Sequence, residues 1–284
     1  MSTTIDVARV QNFSSNITLL FQQKASKLRA SVGQVKPVIG KLVHFDRLAS
    51  TNVTKRVTRN QPTALTDNTH TRRAAAPSFY DGAWPVDPMD LDRILIDPKS
   101  NYTEIAAYAM ARALDLDIYT QTRGSALVGE NGTDTPVALP SGQKIAHGSA
   151  GMTLAKILQA HRMLNGAEVP SDGRFAWIDS FALEDMLNIQ QLTSSDYNSV
   201  KMLTTGELNS FMGFNWSMYN YAAESSVYYA VFGHRSSLGL AIPKELSTQV
   251  DKRPDLSNIW QVYVSADFGS VRIVDEGIVE CAYQ

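Results

Sequence analysis

A chain of 284 residues with 44% hydrophobic content and a formal net charge of −2 is long enough for one large domain or two small ones, and ordinary in composition for a globular protein. Its longest apolar runs, such as 105–111, span only a few residues, far short of the ~20 that cross a bilayer, so no membrane partner is expected. The single cysteine, Cys281, excludes an internal disulfide and a multi-cysteine zinc site, and reads as a small strand residue.

The N-terminus lacks a charged start followed by an apolar stretch and a small-residue cleavage site, which points to synthesis in the cytoplasm. Charge is unevenly spread. Residues 1–80 hold 12 Lys and Arg against 3 Asp, or +9, which leaves 14 basic and 25 acidic residues in 81–284, or −11. A basic front joined to an acidic body suggests that the front lies on a neighbouring copy or on nucleic acid, the alternative being a solvated arm without a partner.

In chain order, Ile17, Leu20, Phe21 and Leu28 recur at loosely helical spacing and are broken by Gly33, Pro37 and Gly40, the pattern of an arm and not of a domain. Residues 49–85 are rich in Thr, Arg and Asn and contain Pro62, Pro77 and Pro85. Such a stretch predicts a long polar hairpin that buries no core of its own. Asp97-Pro98, with Asn101 and Glu104 behind it, starts a helix. That helix carries Ile105, Ala109, Ala113 and Leu116, with Ala106, Met110 and Ile118, and stops at Gly124. About 24 residues at ~1.5 Å each make it roughly 36 Å long. Gly129, Asn131-Gly132, Pro136, Pro140 and Ser141-Gly142 punctuate loop and hairpin, and a second helix over 152–165 presents Leu154, Ile157, Leu158, His161 and Leu164. A buried strand over 174–180 leads into a helix through Leu183, Met186 and Leu187. The alternation of Val262, Val264 and Ala266, then Val271 and Ile273, and Ile278-Val279 beyond Glu276-Gly277 predicts two closing strands.

Catalytic and ligand-binding patterns find little support. There is no glycine-rich dinucleotide or phosphate loop. Ser141-Gly-Gln-Lys144 matches the S-x-x-K pattern of penicillin-recognising enzymes but sits among turn residues, without the companion tripeptides. Asp87, Asp90 and Asp92 lack the glycine and closing glutamate of a calcium loop. His44, His70, His147, His161 and His234 show no metal-ligand spacing. Six N-x-[ST] sequons, at Asn12, Asn16, Asn52, Asn101, Asn131 and Asn215, are idle without secretion. Asp115 and Asp117 point to different helix faces and cannot act as an acid/base couple. No catalytic residue, metal or cofactor is expected.

The order of elements resembles the major capsid proteins of tailed bacteriophages. The stretch Arg174-Phe-Ala-Trp-Ile-Asp-Ser-Phe-Ala-Leu-Glu-Asp-Met-Leu187 and then Leu203-Thr-Thr-Gly-Glu-Leu-Asn-Ser-Phe-Met-Gly-Phe-Asn-Trp-Ser217 are similar to the family's strand, helix, glycine turn and Gly-Phe strand entry. Phe268-Gly-Ser-Val-Arg-Ile-Val-Asp-Glu-Gly-Ile-Val-Glu280 resembles its terminal hairpin, and Phe21-Gln-Gln-Lys24 with Leu28-Arg29 the start of a podovirus-type branch. The resemblance implies an α+β Hong Kong 97-type fold. Its parts would be an N-terminal arm (1–42), an extended loop (49–86), a peripheral domain with a long spine helix (43–48, 87–149 and 251–284) and an axial domain (150–250). It implies a shell of hexamers and pentamers around double-stranded DNA lying on its inner surface. A portal protein and a separate scaffolding protein would be further partners, with a decoration protein as an optional one. Lys55, Arg56, Arg59, Arg72 and Arg73 of the loop become candidate inter-subunit contacts, and no crosslink partner is assigned to Lys55. The alternatives are a cargo-enclosing nanocompartment shell of the same fold and a soluble enzyme using Ser141 and Lys144.

Overall fold

The computed structural model describes residues 22–37, 40–60, 62, 63, 65, 67–87, 99–189, 210–221, 224 and 226–284. In chain order its strands begin with β1 (Gln34–Lys36), β2 (Val43–Leu48), β3 (His70–Ala75) and β4 (Ser78–Val86). Helix α1 (Lys99–Arg123), β5 (Leu127–Val128), β6 (Lys144–Ile145), α2 (Leu154–Gly166), β7 (Arg174–Ile178) and α3 (Ser180–Asn188) follow. The chain continues with β8 (Ser210–Phe211), β9 (Phe214–Met218), β10 (Tyr228–His234), β11 (Leu238–Arg253), β12 (Ile259–Arg272) and β13 (Ile278–Tyr283). Three sheets have the strand orders β1-β11-β12-β4, β6-β13-β10-β7-β9-β8 and β2-β3-β5.

The chain forms two compact units, one drawn from Met1–Ala25, Tyr80–Ala111 and Leu246–Ala266, the other from Ser26–Phe79, Arg112–Glu245 and Asp267–Gln284. In the first, Val86, Ala106, Met110, Val262, Val264 and Ala266 are buried. The hydroxyls of Ser247 and Ser265 lie 3.0 Å apart, and the Lys252 ammonium sits 4.8 Å from the centre of the Trp260 ring.

The second unit is built on the six-stranded sheet. β7 lies between β10, antiparallel, and β9, parallel, and all five of its residues are buried. That is why Arg174-Phe-Ala-Trp-Ile reads as a near-continuous apolar run and not as an alternation. One face, carrying Ala176, Ile178, Phe214, Phe232, Val279 and Cys281, packs with Ile157, Ala160 and Leu164 of α2 and Ala182 and Met186 of α3. Phe175 and Trp177 stack on each other, and the Trp177 indole donates to Ser31 Oγ at 3.1 Å. The two helices begin at side-chain caps: Thr153 accepts from Lys156 N, and Asp179 from Ala182 N.

Lys156, buried in α2, donates its three ammonium protons to the carbonyls of His147, Ala150 and Gly151 at 2.8, 2.7 and 2.9 Å. It thereby fixes the turn before its own helix. Lys156→Met should cost about 1–3 kcal/mol by removing the ammonium from Gly151 O and leaving His147 O and Ala150 O with only their backbone donors, Ala150 N and Gln284 N. Urea denaturation would read this as a lower midpoint at unchanged slope, and an unchanged midpoint would refute it.

Several expectations need correction. The expected buried stripe of α1 is rotated: Leu116 is 45% exposed, while Leu114, Asp115, Tyr119 and Thr122 join Ala106, Met110 and Ile118 in being buried. In α2, Leu158 is 49% exposed and Lys156 is buried, because the ammonium finds three acceptors there. The two closing strands exist but do not form a hairpin. β12 lies between β11 and β4, whereas β13 lies between β6 and β10 in another sheet. The expected helix start at Asp97-Pro98 lies outside the described residues, whereas Gly124 does follow the last helical residue.

Candidate assembly surface

The polar segment after β2 folds as the sequence requires of residues that bury nothing. β2 and β3 pair antiparallel from Val43↔Ala75 to Leu48↔His70, and residues 51–60 between them carry no strand or helix and are all exposed. Val53 is 98% and Leu65 99% exposed. Lys55, Arg56 and Arg59 project from this loop with their charges at the surface.

The base of the loop is held far more firmly than its tip. Phe45 is fully buried in a cluster with Val43, Ala75, Ala126, Ala241, Val271 and Ile273. Lys36 lies 4.5 Å from the Phe45 ring centre and donates to His44 O, while Arg47 donates to Ile273 O at 3.0 Å. Arg72 pairs with Asp46 across the strands at 2.5 Å on the outer face. Arg73 points inward and pairs with Asp275 at 2.6 Å. Burial holds the Arg73 guanidinium below its ordinary pKa, and Asp275 works against that shift. The five basic residues proposed as contacts therefore divide: Lys55, Arg56 and Arg59 present their charge outward, whereas Arg72 and Arg73 have carboxylate partners within their own chain.

Asp275 also accepts from Arg272 Nε at 2.6 Å. Arg272 is fully buried and spends its remaining donors on Thr122 O and Gly124 O at the end of α1 and on Val137 O. One guanidinium thus caps a helix, holds the loop after it and orients the carboxylate that anchors β3. A second anchor lies one face round α1. Asp115, fully buried, accepts from Ser26 Oγ at 2.5 Å, Lys27 N at 2.9 Å and Leu28 N at 3.2 Å. Asp117 instead accepts from the backbone and hydroxyl of Ser270, and burial raises its pKa against these bonds. The two carboxylates do face different ways. At the end of α1, Arg123 pairs with Glu280 at 2.7 Å and Glu224 at 2.8 Å and lies 3.8 Å from the Tyr229 ring centre.

Beside the loop base, an open groove of about 560 Å³ is lined by Asp46, Arg72, Val128, Glu130 and Asp134 among others. Its far wall is the turn after β5, where Gly129 and Gly132 adopt the left-handed φ values of +98° and +67°.

The remaining chemical candidates are dispersed. Ser141 opens a short 3-10 turn and Lys144 begins β6, where its ammonium lies 3.6 Å from Glu280. No helix presents the pair as the S-x-x-K pattern requires. His234 is buried between Ser236 Oγ and Asp172 O. Among the described residues no three His, Cys, Asp or Glu side chains gather as a metal site would need, and Asp90 and Asp92 lie outside those residues. Cys281 is a fully buried strand residue whose thiol is pushed up to about 12 by burial. No helix among the described residues is long and apolar enough to cross a membrane.

Residues 5–284 match the family model described as phage capsid protein. No curated protein matches the sequence. Among solved structures, the capsid of cyanophage P-SCSP1u is similar over 100% of this chain and 95% of its own, at 14% identity and a TM-score of 0.77. A Mycobacterium phage Che8 structure matches over 96% of both chains at 16% identity and a TM-score of 0.73. The mature capsid of bacteriophage PhiM1 matches over 97% of this chain and 92% of its own at 13% identity and a TM-score of 0.72. These likenesses establish the α+β fold of phage capsid subunits, and the match over nearly the whole sequence places the chain in the phage capsid protein family.

Proposed function

We infer that this chain is a major capsid protein, a structural subunit whose copies associate into the shell of a tailed-phage virion. The observation that carries the reading is the contrast within one hairpin: its base is locked by buried ion pairs, while residues 51–60 are exposed and carry three positive charges. A segment that buries nothing on its own chain gains order by lying on another copy, and a closed symmetric shell multiplies each modest contact.

Family membership supports a finer reading. Subunits form hexamers and pentamers on an icosahedral shell around double-stranded DNA, assembled in the host cytoplasm with a separate scaffolding protein and a portal protein. Residues 1–42 act as the arm and 49–86 as the extended loop. Residues 43–48, 87–149 and 251–284 form the peripheral domain, and 150–250 the axial domain.

Co-expression with the scaffolding protein should yield hollow particles in negative-stain micrographs, and a strictly monomeric product would sink the capsid reading. Trypsin adds a local test. Free subunits should be cut after Lys55, Arg56 or Arg59, within exposed backbone that lacks regular structure, whereas Arg72 and Arg73 on a paired strand should resist. Assembled particles should resist at all five sites. Equal cleavage at 55–59 in both states would show that the loop makes no contact between copies.

A further inference from the structure

We propose that a single alkali cation, of the sodium and potassium class, binds in a small tyrosine-lined cavity beside Asp179 at the start of α3. The cavity measures about 10 Å³, space for one body the size of a water molecule, and is lined by Asp179 and six tyrosines. All of these belong to one compact unit of the chain and come from α1, β10, β13 and the segments that follow β7 and β9. The site is a property of the subunit, whatever its copies assemble into.

One carboxylate oxygen carries the argument. Asp179 is 6% exposed. Its Oδ1 accepts from Ala182 N at 2.8 Å, capping α3, and from the Tyr283 hydroxyl. Its Oδ2 is buried and has no hydrogen-bond partner among the described residues. Nor does any basic side chain among them lie within ion-pair distance of Asp179. A buried carboxylate left in this condition is costly, and the cavity that it lines is where a counter-charge fits.

The charge nearby favours a cation. Arg123 is shared between Glu280 at 2.7 Å and Glu224 at 2.8 Å, and Lys144 lies 3.6 Å from Glu280. Two cations thus face two carboxylates, which leaves Asp179 in excess. The tyrosines keep their protons: burial pushes Tyr219 up to about 12 and holds Tyr119 and Tyr283 above the ordinary range. Neutral hydroxyl oxygens and the negative faces of aromatic rings are both partners for a cation. A single carboxylate suits a monovalent ion, since calcium sites gather roughly 6–8 oxygens, often from several carboxylates. Among the described residues no three His, Cys, Asp or Glu side chains come together as such a site would need. Bound at Oδ2, the ion joins the cap of α3 to β13 through the carboxylate that Tyr283 also holds.

The test is thermal unfolding of the full-length subunit at fixed pH and ionic strength, in chloride salts of sodium, potassium and tetramethylammonium, the last being too large to enter. Exchanging tetramethylammonium for sodium or potassium should raise the midpoint by about 3–6 °C at ten times the half-saturating concentration. The rise should level off, with a matching change in the near-ultraviolet dichroism of the tyrosines. Asp179→Asn should fold, because asparagine also caps helices and its amide nitrogen takes the place of Oδ2 with donors of its own. That variant should lose both responses. Equal midpoints and spectra in all three salts would overturn the proposal and leave a water molecule as the occupant. A rise that stays linear in salt, or a response that survives in Asp179→Asn, would overturn it too. Should the variant fail to fold, the titration of the unaltered chain decides by itself.

Discussion

Arg272→Ala is expected to destabilise the subunit by about 3–5 kcal/mol, the range for removing one partner of a buried, hydrogen-bonded ion pair. The side chain is fully buried, and its loss strips Asp275 of one guanidinium and the carbonyls of 122 and 124 of their guanidinium donor, while Val137 O keeps only the bond from Ala126 N. Asp275 then faces Arg73 alone, so the damage reaches β3 at the base of the exposed loop. At roughly 2–4 °C per kcal/mol for a chain of this class, thermal unfolding should fall by about 6–20 °C. Arg272→Lys should recover little, because one ammonium cannot reach the carboxylate and all three carbonyls that the planar fork serves together. A shift under about 2 °C for alanine would mean that water replaces the guanidinium and that the network does not anchor the loop.

Asp115→Ala should cost about 3 kcal/mol by removing a buried carboxylate that accepts three bonds. The loss falls on one segment: Lys27 N and Leu28 N lose their acceptor, and Leu28, now fully buried, loses the tether that brings it in. Hydrogen exchange at residues 27 and 28 should quicken more than at β7, which distinguishes local release from uniform loosening. Asp115→Asn should be milder, since its amide oxygen keeps one acceptor. Equal exchange at both places would show that the segment is held by packing alone.

The long helix and the second helix were legible from apolar periodicity, with Gly124 ending the first, and the strand read over 174–180 is present over 174–178, its last two positions capping and opening the next helix. The anchors were not. Arg272 stands between Val271 and Ile273, a charge inside an apolar strand pattern. That break was the available signal, but its partners are 122, 124, 137 and 275, which no local spacing connects. The same blindness explains the closing strands. Alternation identifies a strand but not its sheet, and the Glu276-Gly277 turn looks the same whether the chain doubles back or crosses over. For the assembly surface, composition singled out all five basic residues, yet only strand register could separate Arg73, turned inward, from Lys55, Arg56 and Arg59.

The placement of β13 also governs when a newly made chain becomes competent. Residues 278–283 lie between β10, some 45 positions earlier, and β6, more than 130 positions earlier, and all six are buried. Until they emerge from the ribosome, β10 and β6 have bare edges and the helix-packed face lacks Val279, Cys281 and Tyr283. Closure of this sheet therefore waits until residues 278–283 have been made. Products that stop short of residue 278 lack the strand that joins β10 to β6, so the topology screens out chains broken ahead of it.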